Sequence, residues 1–215
     1  MRPLPCFLTV LTLVAGARAA TPVISTPLVT YDATPGSEFA PTFTFFGLSA
    51  SALLTGDSAG TLEPGLAVPS SVFLMTTTAS PDANAAIANR QYLQFTLTPQ
   101  AGQSMVFDML EFRAAKGGAS GPRGWALTTS LDGFASILSS ADILSTAPNL
   151  SDFQVQLPVT PPIDTATVFR LYAYAPAAGN GIFLDSITIS GSAIPEPSTA
   201  VLLVLAATAT LRRRR

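Results

Sequence analysis

The segment Gln91-Tyr92-Leu93-Gln94-Phe95-Thr96-Leu97-Thr98 alternates apolar and polar residues without a break. Leu93, Phe95 and Leu97 fall on one face of an extended chain, and Tyr92, Gln94 and Thr96 on the other. Successive side chains of a strand point to opposite faces, so a period of two marks a half-buried β-strand. Val168 to Ala175 repeats the pattern, with Phe169, Leu171 and Ala173 on the apolar face and Arg170, Tyr172 and Tyr174 on the polar one. Further strands are expected over 42–48, 72–78, 105–113, 125–130, 153–157 and 182–190. Turn formers separate them: Pro99 to Gly102, Lys116-Gly117-Gly118, Gly121-Pro122, Asp132-Gly133, Pro161-Pro162 and Ala178 to Gly181. The body helix expected is short, around 81–89, where Ala83, Ala85 and Ala86 cluster. Residues 50–69, rich in Ser, Gly, Ala and Pro, read as a long loop.

Many short strands with Gly and Pro punctuation predict an all-β fold, an antiparallel β-sandwich. Eight or nine strands suit a jelly roll better than an immunoglobulin domain. No repeat at a period of 20 to 50 residues is present, which argues against a propeller or a solenoid. The chain has no histidine and one cysteine, Cys6. These absences argue against His-based acid–base catalysis, serine and cysteine triads, zinc sites and disulfides.

Both ends read as address labels. Met1-Arg2-Pro3, the apolar run from Phe7 to Val14, and the Ala17-Arg18-Ala19 site form the parts of a secretory signal peptide, expected over 1–19. The run is too short for a permanent membrane anchor. At the other end, Ile194-Pro195-Glu196-Pro197-Ser198-Thr199 precedes an apolar stretch to Leu211 and the cluster Arg212, Arg213, Arg214 and Arg215. Ser198 or Thr199 can cap a helix. The arginines would stop a single short transmembrane helix with its end on the cytoplasmic side. From Thr199 to Leu211 the helix would be about 20 Å long, against a hydrocarbon core of about 30 Å.

The Pro195-Glu196-Pro197 triplet, the apolar helix and the arginine cluster, in that order, resemble the PEP-CTERM sorting signal of Gram-negative bacteria. The resemblance covers about the last tenth of the chain, residues 194–215. It implies recognition by an exosortase-type transpeptidase, cleavage near the triplet, transient anchoring in the inner membrane, and delivery to the cell surface or an exopolysaccharide matrix. The body resembles it too. Tyr92 with Phe95 to Pro99, Trp125 to Phe134, Phe169 to Tyr174, and Leu184 to Thr188 look like the order seen in PEP-CTERM proteins of planctomycete and verrucomicrobial type. That resemblance implies a carbohydrate-binding-type jelly roll over residues 20–193.

Within 20–193 there are five basic and twelve acidic residues, a net charge of −7. A nucleic-acid partner needs a basic face, so none is expected. Tyr92, Tyr172 and Tyr174, with Arg170, share the polar faces of their strands. They read either as cross-strand pairs that stabilise the sheet or as a stacking platform for sugar. Trp125 shares a face with Leu127 and reads as core, with sugar stacking as the other reading. Strict alternation puts Asp185 beside Phe183, Ile187 and Ile189, where a carboxylate needs a partner. It could accept backbone N–H bonds. Alternatively, as carbohydrate-binding jelly rolls imply, it could hold a structural Ca²⁺ with Asp32 or Glu38. No other cofactor is expected. The chain is therefore expected to be an exported surface or matrix protein, sorted through its tail and without catalytic activity. The alternative is a carbohydrate-binding module that contacts extracellular polysaccharide. A His-free polysaccharide-degrading enzyme is the third reading.

Overall fold

The alternating segments pair into two antiparallel sheets. The computed structural model describes residues 25–56, 61–118 and 121–195. In chain order the elements are β1 (Thr26–Tyr31), β2 (Phe43–Thr44), β3 (Leu48–Ala50), β4 (Leu54–Thr55), β5 (Leu62–Pro64), β6 (Val72–Met75), α1 (Ala83–Ala88), β7 (Tyr92–Pro99), β8 (Gln103–Lys116), β9 (Gly124–Thr129), β10 (Ser139–Asp142), β11 (Ser151–Gln156), β12 (Thr167–Tyr174) and β13 (Gly181–Pro195). The first sheet runs β11-β8-β13-β1-β2. Strand β13 pairs with β8 along one edge and carries β6 and β1 end to end on the other, with β5 beyond β6. The second sheet runs β10-β9-β12-β7, and β7 carries β3 and β4 end to end.

The core lies between the sheets. Leu93, Phe95 and Leu97 of β7 and Phe169, Leu171 and Ala173 of β12 pack in one cluster with Leu28, Phe107, Leu110, Ile187 and Ile189 from the first sheet. Phe95 stacks on Phe169 with centroids 5.4 Å apart, and Phe107 meets Phe169 edge-on. Trp125 is 2% exposed and meets Phe112 and Phe153 at 5.0 and 5.5 Å. It is core, as its shared face with Leu127 indicates, and is not open to sugar. Burying each such ring contributes about 1.5–3 kcal/mol.

Several boundaries differ from expectation for local reasons. The strand expected over 42–48 is split into β2 and β3 by Gly47, whose φ of +89° turns the chain. Strands β8 and β13 outrun their apolar patterns because each is the other's hydrogen-bonding partner deep in the sheet. The expected loop 50–69 holds β4 and β5, edge pieces too short to show a period. β1 and the polar edge strand β10 were not expected. Strand β13 runs past the domain end expected at 193: Ile194 and Pro195 pair with Ser104 and Gln103.

Asp185 corrects the alternation argument. The β13–β8 register shifts between Asp185 and Thr188, and Ser186 has a φ of +51°. Such a bulge adds one residue and exchanges the faces beyond it. Ile182 and Leu184 before the bulge, and Ile187 and Ile189 after it, all enter the core. Phe183 joins a separate cluster with Val68 and Ala115. Asp185 therefore sits on the outer face opposite Arg113, not among Ile187 and Ile189.

Cys6, the signal-peptide site at Ala17 and Ala19, Glu196 and Pro197, and the tail ending in Arg212–Arg215 lie outside the described residues. Among the described residues no helix is long and apolar enough to cross a membrane.

Candidate functional site

The outer face of the second sheet is built around a short alanine helix. Asp82 caps α1, its carboxylate accepting the Ala85 N–H at 2.8 Å. Alanine side chains let the helix lie close to β12 and β9. Ala86 is fully buried against Tyr92, Ala126, Tyr172 and Tyr174, with Ala83 and Ile87 beside it. The three tyrosines do share the outer face, but they are not an open platform. They are 6%, 3% and 6% exposed. Period two reports which face a ring points to, and only the chain packed above decides whether water reaches it. Tyr92 and Tyr172 meet edge-on at 5.1 Å. The Tyr174 hydroxyl donates to Asp142 at 2.7 Å, and burial, reinforced by that bond, pushes its pKa well above the usual tyrosine value.

Beside the helix the face opens. A pocket of about 430 Å³ is lined by Tyr92, Tyr172 and Arg170 from the sheet, Ile87 and Arg90 from the end of α1, and Gly133 and Phe134 from the turn after β9. Tyr174 does not line it. Arg170 stands in β12 between Gln94 of β7 and Thr128 of β9. Its Nε donates to Gln94 Oε1 at 3.2 Å. Its guanidinium carbon lies 4.6 Å from the Tyr92 ring centroid and 3.7 Å from that of Phe134. Both separations are within cation–π range, so the guanidinium is held in place by rings. Three of the four residues singled out in sequence thus meet here, and Arg90 and Phe134 join them.

The backbone at both new residues is left-handed. The Arg90 N–H donates to Ile87 O and the Gln91 N–H to Ala86 O, the paired bonds of a Schellman helix end. The residue turned left-handed there is usually glycine, but here it is Arg90, with φ +54°. Gly133 and Phe134 are consecutive left-handed residues, with φ +69° and +63°. A 3₁₀ turn, Ser130–Asp132, precedes them. The Asp132 carboxylate accepts the Ala135 and Ser136 N–H groups at 3.2 and 2.9 Å, and the Ser136 hydroxyl as well. The hydroxyl, then these amides, hold Asp132 below its ordinary carboxylate pKa. Phe134 carried no periodic signal. Its only sequence marks are the Asp132-Gly133 turn before it and an aromatic where turns are usually polar.

The outer face of the first sheet carries a smaller pocket, about 260 Å³, lined by Glu111, Arg113, Asp152, Gln154, Ser186 and Thr188 among others. Here the one lining cation is matched. Arg113 forms an ion pair with Asp185, which also accepts from the Ser186 hydroxyl, and Gln154 donates to Glu111 at 2.8 Å. Asp32 accepts from Thr42 and Glu38 from the Gly36 N–H. Among the described residues no group of three His, Cys, Asp or Glu side chains is placed to hold a metal ion. Asp185 meets a cation of its own chain.

No family model and no curated protein matches the chain. Solved structures with a similar course include a family 35 carbohydrate-binding module from an environmental isolate, at TM-score 0.43 and 18% identity, covering 67% of this chain and 93% of that one. An adhesin domain of Lys-gingipain from Porphyromonas gingivalis gives 0.42 and 15%, covering 77% and 98%. A xylan-binding domain from Paenibacillus barcinonensis gives 0.41 and 12%, covering 78% and 95%.

Proposed function

We propose that this chain is an exported, non-catalytic carbohydrate-binding protein, and that the pocket beside α1 is its ligand site. The observation that carries this reading is Arg170 held between Tyr92 and Phe134 on the wall of an open pocket. Sugars are recognised by rings against their C–H faces and by fixed donors toward their oxygens. A guanidinium clamped by two rings is a fixed donor, because its rotamers are already restricted before the ligand arrives. The scaffold is read as a jelly roll, its first and last strands paired as β1 and β13.

Affinity electrophoresis of the full chain in gels carrying plant, algal and bacterial polysaccharides tests the assignment. Retardation in at least one gel is expected, and Phe134→Asn, which keeps a residue tolerant of left-handed backbone, should lessen it. Unaltered migration in every gel would end the carbohydrate reading.

A second reading concerns destination and sits alongside the first. The order of Pro195-Glu196-Pro197, apolar stretch and arginine cluster supports export, transient anchoring in the inner membrane, and cleavage by an exosortase-type transpeptidase. Mass spectrometry of protein recovered from the cell surface should then lack everything after about Pro197. An intact Arg215 in that fraction would remove the sorting claim and leave the binding claim untouched.

A further inference from the structure

Two of the five basic residues within 20–193 line one pocket, in a segment whose net charge is −7. Among the described residues neither Arg90 nor Arg170 forms an ion pair, although twelve acidic residues lie in that segment. Arg113, by contrast, is matched to Asp185. Of the Arg170 nitrogens, Nε is taken by Gln94. Arg90 is exposed at the pocket rim and occupies the left-handed position of a helix end where glycine is the residue of least strain. Arg90 and Arg170 thus line one pocket with no carboxylate among the described residues paired to either, and Arg90 does so from a strained backbone position. An anion bound in that pocket would supply the missing partner.

We infer that this pocket takes the anionic substituent of a polysaccharide, a uronate carboxylate or a sulfate ester, between the guanidiniums of Arg90 and Arg170. The inference deepens the carbohydrate-binding reading and rests on it. A planar guanidinium matches the two oxygens of either group, and charge-assisted bonds of this kind are stronger than neutral ones. The rings of Tyr92 and Phe134 fix Arg170, so the sugar carrying the charge would lie along the Phe134 side of the pocket. The surrounding negative charge repels a polyanion in general, so attraction has to be local.

The test uses the full chain with four probes: polygalacturonate, the same polymer with its carboxyls reduced to alcohols, dextran sulfate, and dextran. Binding to polygalacturonate or dextran sulfate is expected, with the reduced polymer and dextran bound at least ten times more weakly, and the better anionic arm tells carboxylate from sulfate. Arg90→Gly removes the guanidinium while relieving the left-handed backbone. It should weaken anionic binding by about ten- to a hundredfold, the loss of one charge-assisted contact, and melt no lower than the parent. Lys116→Gln, on the other sheet, should bind as the parent does. Equal binding of the reduced and unreduced polymers overturns the inference and leaves the carbohydrate reading standing. So does full binding by Arg90→Gly, or an equal loss in Lys116→Gln. Failure of all four probes overturns the inference, and failure across the wider set of polysaccharide gels removes the reading beneath it.

Discussion

The two outer faces of the sandwich carry similar residues and treat them oppositely. On the first sheet Arg113 faces Asp185 across the β8–β13 pair, and Phe73 packs on Phe183 at 4.7 Å beside Val68. On the second, α1 seals three tyrosines, Arg170 beside it is held by two rings, and neither Arg170 nor Arg90 pairs with a carboxylate among the described residues. On the first face the arginine has a carboxylate of its own chain, and on the second neither arginine has one. Both faces carry a non-glycine left-handed residue, Ser186 on one and Arg90 and Phe134 on the other. Ser186 forms the bulge that brings Asp185 opposite Arg113, so its strain is answered by an internal bond. The strain at Arg90 and Phe134 positions groups around an empty volume. A strained backbone alone does not mark a site. Strain whose product is an unmatched group does.

Breaking the seal on the second face should have the largest effect. Ala86→Leu forces extra volume between helix and tyrosines, where Ala86 is fully buried. Overpacking of this kind costs about 1–3 kcal/mol. In a domain of this size that lowers the melting temperature by about 2–4 °C per kcal/mol. Calorimetry of the variant should show the fall, and a loss of polysaccharide binding should accompany it as Tyr92 shifts. An unchanged melting temperature would mean that α1 is not clamped on the sheet.

The matched pair on the first face gives the next largest effect. Arg113 is half exposed while Asp185 is almost fully buried. Arg113→Met should cost about 1–2 kcal/mol, since the buried carboxylate loses its cation but solvent screens part of the loss. Arg113→Met combined with Asp185→Leu should recover much of it, because a buried ion pair replaced by apolar groups is often neutral. Denaturant titrations of the single and double variants check this. Neither variant should alter polysaccharide binding, which is the sharpest separation of the two faces.

The smallest effect concerns acid. Asp132 has its carboxyl held below the ordinary value, so its folded form favours the charged state. Its contribution is complete above the unfolded pKa of about 3.9 and fades as pH falls through the lower folded value. Binding should thus weaken modestly only as pH falls below about 4, where the Asp132–Ser136 turn that carries Phe134 loosens. Asp132→Asn should flatten that part of the profile while the Arg113–Asp185 face shows no such link to binding.

Much of this architecture was legible beforehand. The faces of Leu93, Phe95, Leu97, Phe169 and Leu171 follow from alternation, which depends only on the pleat. The short helix around 81–89 follows from its cluster of alanines, and its Asp82 cap emerges only in the structure. Asp185 was misread because alternation assumes an unbroken count, and a bulge is set by the partner strand. Alternation puts the tyrosines on the right face, and Tyr92 and Tyr172 pair across strands there. It could not show that α1 covers them, since burial depends on what packs above.

The sequence by itself determined a two-sheet sandwich, the inward faces of its strands, the unmatched charge of its body and the terminal segments that look like address labels. These are local properties: side-chain period, turn chemistry, and residues present or absent. The tertiary structure alone decided that Arg170 would be clamped by Phe134 from a turn some 36 residues earlier, that Arg90 would end a helix at the same pocket, and that Arg113 would find Asp185. Those meetings are fixed by strand order and by bulges in register. Both arise from contacts between segments far apart in the chain, for which a single sequence holds no periodic signal.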